Sequence, residues 1–258
     1  MIKIFLNLRK TLLVNKIILE LIFSNLPFYL QKIIFNIVFL PKLIQWKYRL
    51  YKSEDKVGSI KAFDIKKSIF IHIPKAAGVS VKRSIFGENF QAGHHFLYKY
   101  ELIFSKKDFN NYFKFTIVRN PWDRLFSAYN FLSKGGLTDE DHNWFQDNLS
   151  KYKDFDDFVK KWVNRKNIYR YTHFIPQYHY IRSSKRKIGV DFIGKLENIE
   201  SDFIYISNKL NLGEINLKYI NKTEGKANYK KYYNEQTIQI VRQVYKQDIE
   251  LFNYEFED

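Results

Sequence analysis

The chain has 258 residues, 45% of them hydrophobic and 18% aromatic, which is enough to bury a sizeable core and excludes wholesale disorder. Its formal net charge of +16 argues for an acidic partner without choosing among nucleic acid, an anionic membrane, and a phosphorylated or sulfated small molecule. There is no cysteine, so disulfides, thiolate metal sites and cysteine nucleophiles are excluded and a reducing cytoplasm is the expected compartment.

Residues 1–60 read as an apolar, basic, helical appendage to a domain spanning 61–258. The greasy run TLLVNKIILELIFSNLPFYLQKIIFNIVFLPKLIQWKYRLYK is broken by Lys16, Glu20, Pro27, Lys32 and Pro41. No window in it offers the roughly 20 mostly apolar residues of a clean membrane span. It also lacks a small-residue secretory cleavage site. Three readings stand: helices packed on the domain, a peripheral contact of residues 1–50 with the inner face of the cytoplasmic membrane, or a true transmembrane span.

KSEDKVGSIKAFD, 52–64, is a polar linker or edge. KSIFIHI, 67–73, predicts a short buried strand, followed by a small-residue turn and a helix to about residue 87. QAGHHFLYKY reads as a loop and ELIFSKKDFNNY as a helix. FKFTIVR, 113–119, is a second strand, rich in β-branched and aromatic residues. Asn120 then supplies an N-cap and Pro121 a first helical residue for PWDRLFSAYNFL. SKGGLTDEDHNW reads as a flexible loop, DFDDFVKKWVN as an amphipathic helix, and THFIPQYHYI as irregular chain around a proline. VDFIGKLENI predicts a third strand and turn, leading into the helix ESDFIYISNKLN. The C-terminal run NEQTIQIVRQVYKQDIELFNYEF predicts one helix, with Ile238, Val241, Tyr245, Ile249 and Phe252 on one face. Strands alternating with helices indicate an α/β fold with a mainly parallel sheet.

Two places carry chemistry. In the first, a strand runs through IPKAAGVS into a helix. The leading amides of a helix lack internal partners and favour an anion. Ala76, Ala77 and Gly78 let a phosphate approach the backbone, Ser80 can add a hydroxyl, and Lys75 adds a mobile charge. The order is not that of the GxxxxGK[ST] loop, so a purely structural turn remains the alternative. In the second, Arg119 ends a strand at the edge where open α/β sheets bind ligands. Its planar fork suits a phosphate, with Ser127 two turns along the next helix; the competing reading pairs Arg119 with Asp123.

FIHIPKAAGVSV resembles the 5′-phosphosulfate loop of sulfotransferases that use 3′-phosphoadenosine-5′-phosphosulfate (PAPS). It is nearest to the carbohydrate branch, whose loop reads hIPKTAGTS. Ala76 and Val79 stand where that pattern has threonine, which shifts the load to backbone amides and Lys75. FTIVRNPWDRLFSAYNFL resembles the family's 3′-phosphate segment, matching at Arg119, Arg124, Ser127 and Tyr129; Arg124 reads as structural. Similarity continues in order through residue 256 and leaves 1–60 outside it.

The resemblance implies a P-loop-like three-layer fold, with a central sheet flanked by helices, in a bacterial-like member. It implies in-line sulfuryl transfer from PAPS to a hydroxyl of a carbohydrate or glycan acceptor, with adenosine 3′,5′-bisphosphate as product and no metal. The donor site it implies comprises Lys75, Ala76, Ala77, Gly78, Val79, Ser80, Arg119 and Ser127, joined by Lys195 and by Lys222, Thr223 and Lys226 of a lid-like segment. The base is His94 or His95, and His173, Gln177 and Tyr178 would line the acceptor cleft. The alternative is a non-catalytic basic protein that binds nucleotides or nucleic acid, although no nucleic-acid module is recognisable and none is expected as partner.

Overall fold

A computed structural model describes residues 26, 27, 29–31, 33, 34, 59–88, 90, 93–213, 215–217 and 228–258. Most of the N-terminal appendage, and Lys222, Thr223 and Lys226, lie outside the described residues. Of the appendage, Gln31 and Ile34 are buried, Ile34 within the main core. Among the described residues, no helix is long and apolar enough to cross a membrane.

After a short helix α1 (Lys61–Ile65), strand β1 (Ser68–Ile71) is buried at every position. Helix α2 (Gly78–Phe86) follows, then α3 (Leu97–Ile103), α4 (Lys106–Asn111), strand β2 (Phe113–Val118) and helix α5 (Pro121–Ser133). Next come α6 (Asp139–Asn148), α7 (Phe155–Lys161), α8 (Gln177–Tyr180) and strand β3 (Phe192–Lys195). The chain closes with α9 (Ile199–Lys209), α10 (Glu235–Val244) and α11 (Lys246–Phe252). The three strands form a parallel sheet in the order β1-β2-β3, pairing Ile71 with Thr116 and Val118 with Lys195. All three strands therefore end at one edge, and the turns that leave it carry Lys75 and Arg119. The expected α/β architecture, a parallel sheet flanked by helices, is what the chain adopts.

Two packed clusters hold this edge in place. One lies around the sheet and includes Phe63, Phe70, Phe115 and Ile117. The other joins α5, α7, α10 and α11 through Trp122, Phe158, Trp162, Phe174 and Tyr245.

Several local expectations change, among them the polar edge before β1 and the irregular chain around Pro176, which turn helical over Lys61–Ile65 and Gln177–Tyr180. The glycine-rich stretch expected to be a flexible loop forms α6, because Thr138 takes an extended conformation and its hydroxyl accepts the Asp141 amide at 3.2 Å. Gly136, at φ +68°, lets the Asp141 side chain pack where a Cβ would overlap it. The segment read as a loop through Tyr100 turns helical at Leu97. The helix expected over 101–112 is divided, because Ser105 is extended and caps a new helix by accepting the Asp108 amide at 3.0 Å. The C-terminal helix is likewise two helices that meet at Tyr245. There the Tyr245 hydroxyl donates to the buried Phe174 carbonyl at 2.7 Å. The apolar face read from sequence survives the break, with Val241, Tyr245, Ile249 and Phe252 all buried.

Candidate active site

The turn from β1 into α2 is made by residues in unusual conformations. Lys75 and Ala77 both have left-handed backbones, with φ of 66° and 55°. Each costs on the order of 1 kcal/mol for a residue with a Cβ. Successive turns of this kind curl the backbone so that its amides converge, the geometry of an anion nest. Ala77 is the N-cap of α2 and offers no side-chain cap, so the helix's first amides are left to a ligand or to solvent. Ala76 points its methyl into the core and Ser80 is buried, whereas Val79 is half-buried. Gly78 also makes room for the His72 imidazole, which a Cβ there would overlap.

Arg119 ties β2 to this loop. Its Nε and Nη2 donate to the two Asp123 carboxylate oxygens at 2.8 and 2.7 Å, and its Nη1 donates to the Lys75 carbonyl at 3.0 Å. The pairing with Asp123 weighed from sequence is present, and it leaves some guanidinium N–H groups for an anion. Gln177 clamps the Arg119 backbone on both sides, accepting from its amide at 3.0 Å and donating to its carbonyl at 2.8 Å. Gln177 is fully buried, and its side chain holds the Arg119 backbone in place. Arg124 is buried and donates to the Pro74, His173 and Ile175 carbonyls. It is the bolt beneath the loop, as its sequence position suggested. Ser127 is half-buried on the face of α5 that also carries Asp123 and Phe131, four residues to either side.

Three histidines gather beside the loop. The His72 and His94 ring centres are 4.1 Å apart, and those of His94 and His173 are 6.2 Å apart. The His94 Nδ1 lies 2.9 Å from the His72 carbonyl oxygen. A carbonyl only accepts, so Nδ1 carries the proton and Nε2 keeps its lone pair. Burial pushes the His94 pKa down to about 4; the bond to His72 opposes this, and the charges of Lys82, Arg124 and Lys75 add to it. His94 is therefore a neutral imidazole at pH 7. His173 is held down at about 3, chiefly by burial, and burial likewise keeps His72 well below the usual range. His95 instead sets its ring edge-on to Tyr100, with 6.1 Å between centres.

The Lys75 ammonium lies 3.9 Å from the Phe131 ring centre. Burial and the neighbouring Arg119 bring its pKa to about 8, while Asp141 pulls the other way. Phe131 in turn packs on His173 at 5.1 Å. Asp141, which sequence reasoning did not single out, is buried and accepts from the Tyr171 hydroxyl at 2.5 Å. Its signal was present in the Thr138 capping pattern, but an acid in a first helical turn is usually a cap partner alone.

Other expected residues have partners of their own near this edge. The Lys195 ammonium donates to the Asn253 carbonyl at 3.1 Å and lies over the Tyr254 ring. Glu197 accepts from the Asn120 amide and the Tyr254 hydroxyl, both at 2.8 Å, and so anchors the start of α5. Tyr178 lines a separate groove with Arg182, Arg186 and Gln247.

The sheet edge and its loop define an α/β protein in which a half-buried lysine, an arginine and a neutral histidine gather where the strands end. The sulfotransferase family pattern matches residues 61–255, and the chain belongs to that family. It is a transferase that moves a sulfuryl group to the hydroxyl of an acceptor substrate. It is also 34% identical over 111 residues to an uncharacterized protein of Archaeoglobus fulgidus, a span of 42% of this chain and 76% of that protein. No solved structure matches it significantly.

Proposed function

We propose that the sulfuryl donor is PAPS and the acceptor a carbohydrate or glycan hydroxyl, as in the carbohydrate branch of the family, with residues 61–258 forming the transferase domain. The observation that carries this reading is His94: a neutral imidazole, oriented by the His72 carbonyl, with its ring centre 4.1 Å from that of His72, which itself packs on Gly78 of the Lys75 loop. The chain's own groups then divide the work. The amides of 76–79, with Ser80 and Lys75, hold the 5′-end anion of the donor. Arg119 and Ser127 hold its 3′-phosphate, and Lys222, Thr223 and Lys226 close over that end. The donor supplies a sulfuryl group on a phosphate leaving group. Lys75 balances the charge that grows on that leaving group, and His94 Nε2 takes the acceptor proton. His95 is the second choice as base, and His173 lines the acceptor side. The greasy residues 1–50 are proposed to hold the protein at the inner face of the cytoplasmic membrane, near a membrane-held acceptor.

The test is transfer from sulfur-labelled PAPS to a panel of polysaccharides, with the parent protein, His94→Asn and His95→Asn. Loss of a general base lowers the rate about 10²–10⁴-fold. That loss is expected in His94→Asn, with His95→Asn staying within a few fold of the parent. The reverse order would make His95 the base, and no transfer to any sugar by the parent would remove the carbohydrate assignment.

A further inference from the structure

Asp248 carries a carboxylate that is fully buried on α11. Its Oδ2 accepts from the Gln177 amide at 2.6 Å and its Oδ1 from the Tyr178 amide at 2.9 Å, 71 and 70 residues away in sequence. The sequence explains why α8 is capped from so far off. Pro176 precedes it with an extended backbone, φ −53° and ψ 141°, and has a ring where a local cap would have an oxygen. An acceptor from another element therefore satisfies the first amides of the helix.

Burial pushes the Asp248 pKa up to about 6, against the pull of those two amides and of the Arg124 guanidinium. Arg124 faces it from α5, and the phenols of Tyr169, Tyr178 and Tyr245 surround it, each kept neutral first by burial. Asp248 is thus ionised at pH 7 and accepts both amides with a full charge.

The segment it holds reaches the donor site. The Gln177 side chain accepts from the Arg119 amide and donates to the Arg119 carbonyl, and Arg119 Nη1 donates to the Lys75 carbonyl. Asp248, Gln177, Arg119 and Lys75 form one line of hydrogen bonds from α11 to the loop after β1. Asp248 fixes the backbone that carries Gln177, and Gln177 fixes the backbone that carries the guanidinium. A planar fork pairs with a phosphate only in the right direction, and that direction is set by the backbone that launches it. Other supports hold the neighbouring residues but not Gln177: Arg124 takes the His173 and Ile175 carbonyls and Tyr245 the Phe174 carbonyl.

We propose that Asp248 is a positioning residue for the donor site: through Gln177 it sets the direction of the Arg119 guanidinium, so that the seating of α11 governs how tightly the anion at the end of β2 is held. This rests on the reading of Arg119 as a ligand of the donor phosphate.

Adenosine 3′,5′-bisphosphate is titrated calorimetrically into the full-length parent, Asp248→Asn, Arg119→Ala and the double variant. Asparagine keeps the size of the side chain and replaces one acceptor by a donor. Asp248→Asn is expected to weaken binding at least about threefold in the parent. In the Arg119→Ala background it is expected to change affinity by less than about twofold, because the group it positions is gone. Tyr245→Phe frees the Phe174 carbonyl and controls for loosening of the segment; its stability to denaturant falls while its affinity stays within about twofold of the parent. Undiminished affinity in Asp248→Asn, an equal loss in both backgrounds, or an equal loss in Tyr245→Phe overturns the proposal. Should Asp248→Asn fail to fold, the isotope-labelled parent decides by nuclear magnetic resonance. The Gln177, Tyr178 and Arg119 amide signals are expected to titrate together near pH 6, and an Arg119 signal that stays fixed while the other two move overturns the proposal. A parent that binds no bisphosphate removes the donor reading and the proposal with it, whereas a parent that binds, with no effect of Asp248→Asn, removes the relay alone.

Discussion

Lys75 combines a left-handed backbone, a carbonyl bonded to Arg119 and an ammonium over Phe131. Its charge is held loosely, since burial has brought its pKa to about 8. An anionic donor binds the protonated form, which is fully present below that value and lost as pH rises through it. Affinity for adenosine 3′,5′-bisphosphate is therefore expected to fall as pH rises through about 8, and Lys75→Arg to abolish that fall, because arginine stays charged. A parent affinity that stays flat across this range, measured by calorimetry, would mean that the Lys75 ammonium does not face the anion. The lysine itself was legible in the sequence as the charged residue between a strand and a small-residue turn. Its aromatic neighbour was not, because Phe131 reaches it from a helix far along the chain.

The turn from β1 to α2 shows how an element can serve two ends. Its glycine reads from sequence as space for a phosphate, yet the close neighbour is His72, the residue whose carbonyl orients His94. Gly78→Ala is expected to destabilise the fold by about 1–3 kcal/mol, as overpacking does, and to disturb His94. In a His72→Ala background the same change should cost much less, and a double-mutant cycle of denaturant stabilities measures that coupling. Additive costs would separate Gly78 from His72. The strands, and helix α5 with its Asn-Pro start, were legible because short-range signals agree there. Helix α6 was hidden because its start is polar and glycine-rich, so it has no strong apolar stripe; its order comes from the Thr138 cap and from Asp141 packing against Gly136. The break at Tyr245 was hidden because both halves share one apolar face, and only the Phe174 carbonyl, distant in sequence, explains why the helix ends there.

At the scale of the molecule, the chain keeps several imidazoles neutral inside a strongly basic protein. His94, His173 and His179 are held at about 4, 3 and 3, and His72 is also well below 6.5, burial being the leading cause in each. The unfolded chain takes up those protons near 6.5 while the folded chain resists them. Their contribution to stability is thus complete above about 6.5 and is lost as pH falls towards the folded values. The thermal midpoint is expected to drop steadily from about pH 7 to about pH 5, and His173→Asn to flatten that slope. A midpoint independent of pH in this range would show that these histidines titrate alike in both states.

The claim on which the rest depends is that the ends of β1 and β2 form one site for a nucleotide with phosphate at both ends. Calorimetric titration of adenosine 3′,5′-bisphosphate into the parent and into Arg119→Ala measures it directly. The account predicts binding to the parent and a loss of at least about tenfold on removal of the Arg119 guanidinium. No binding to the parent, or undiminished binding to Arg119→Ala, would contradict it.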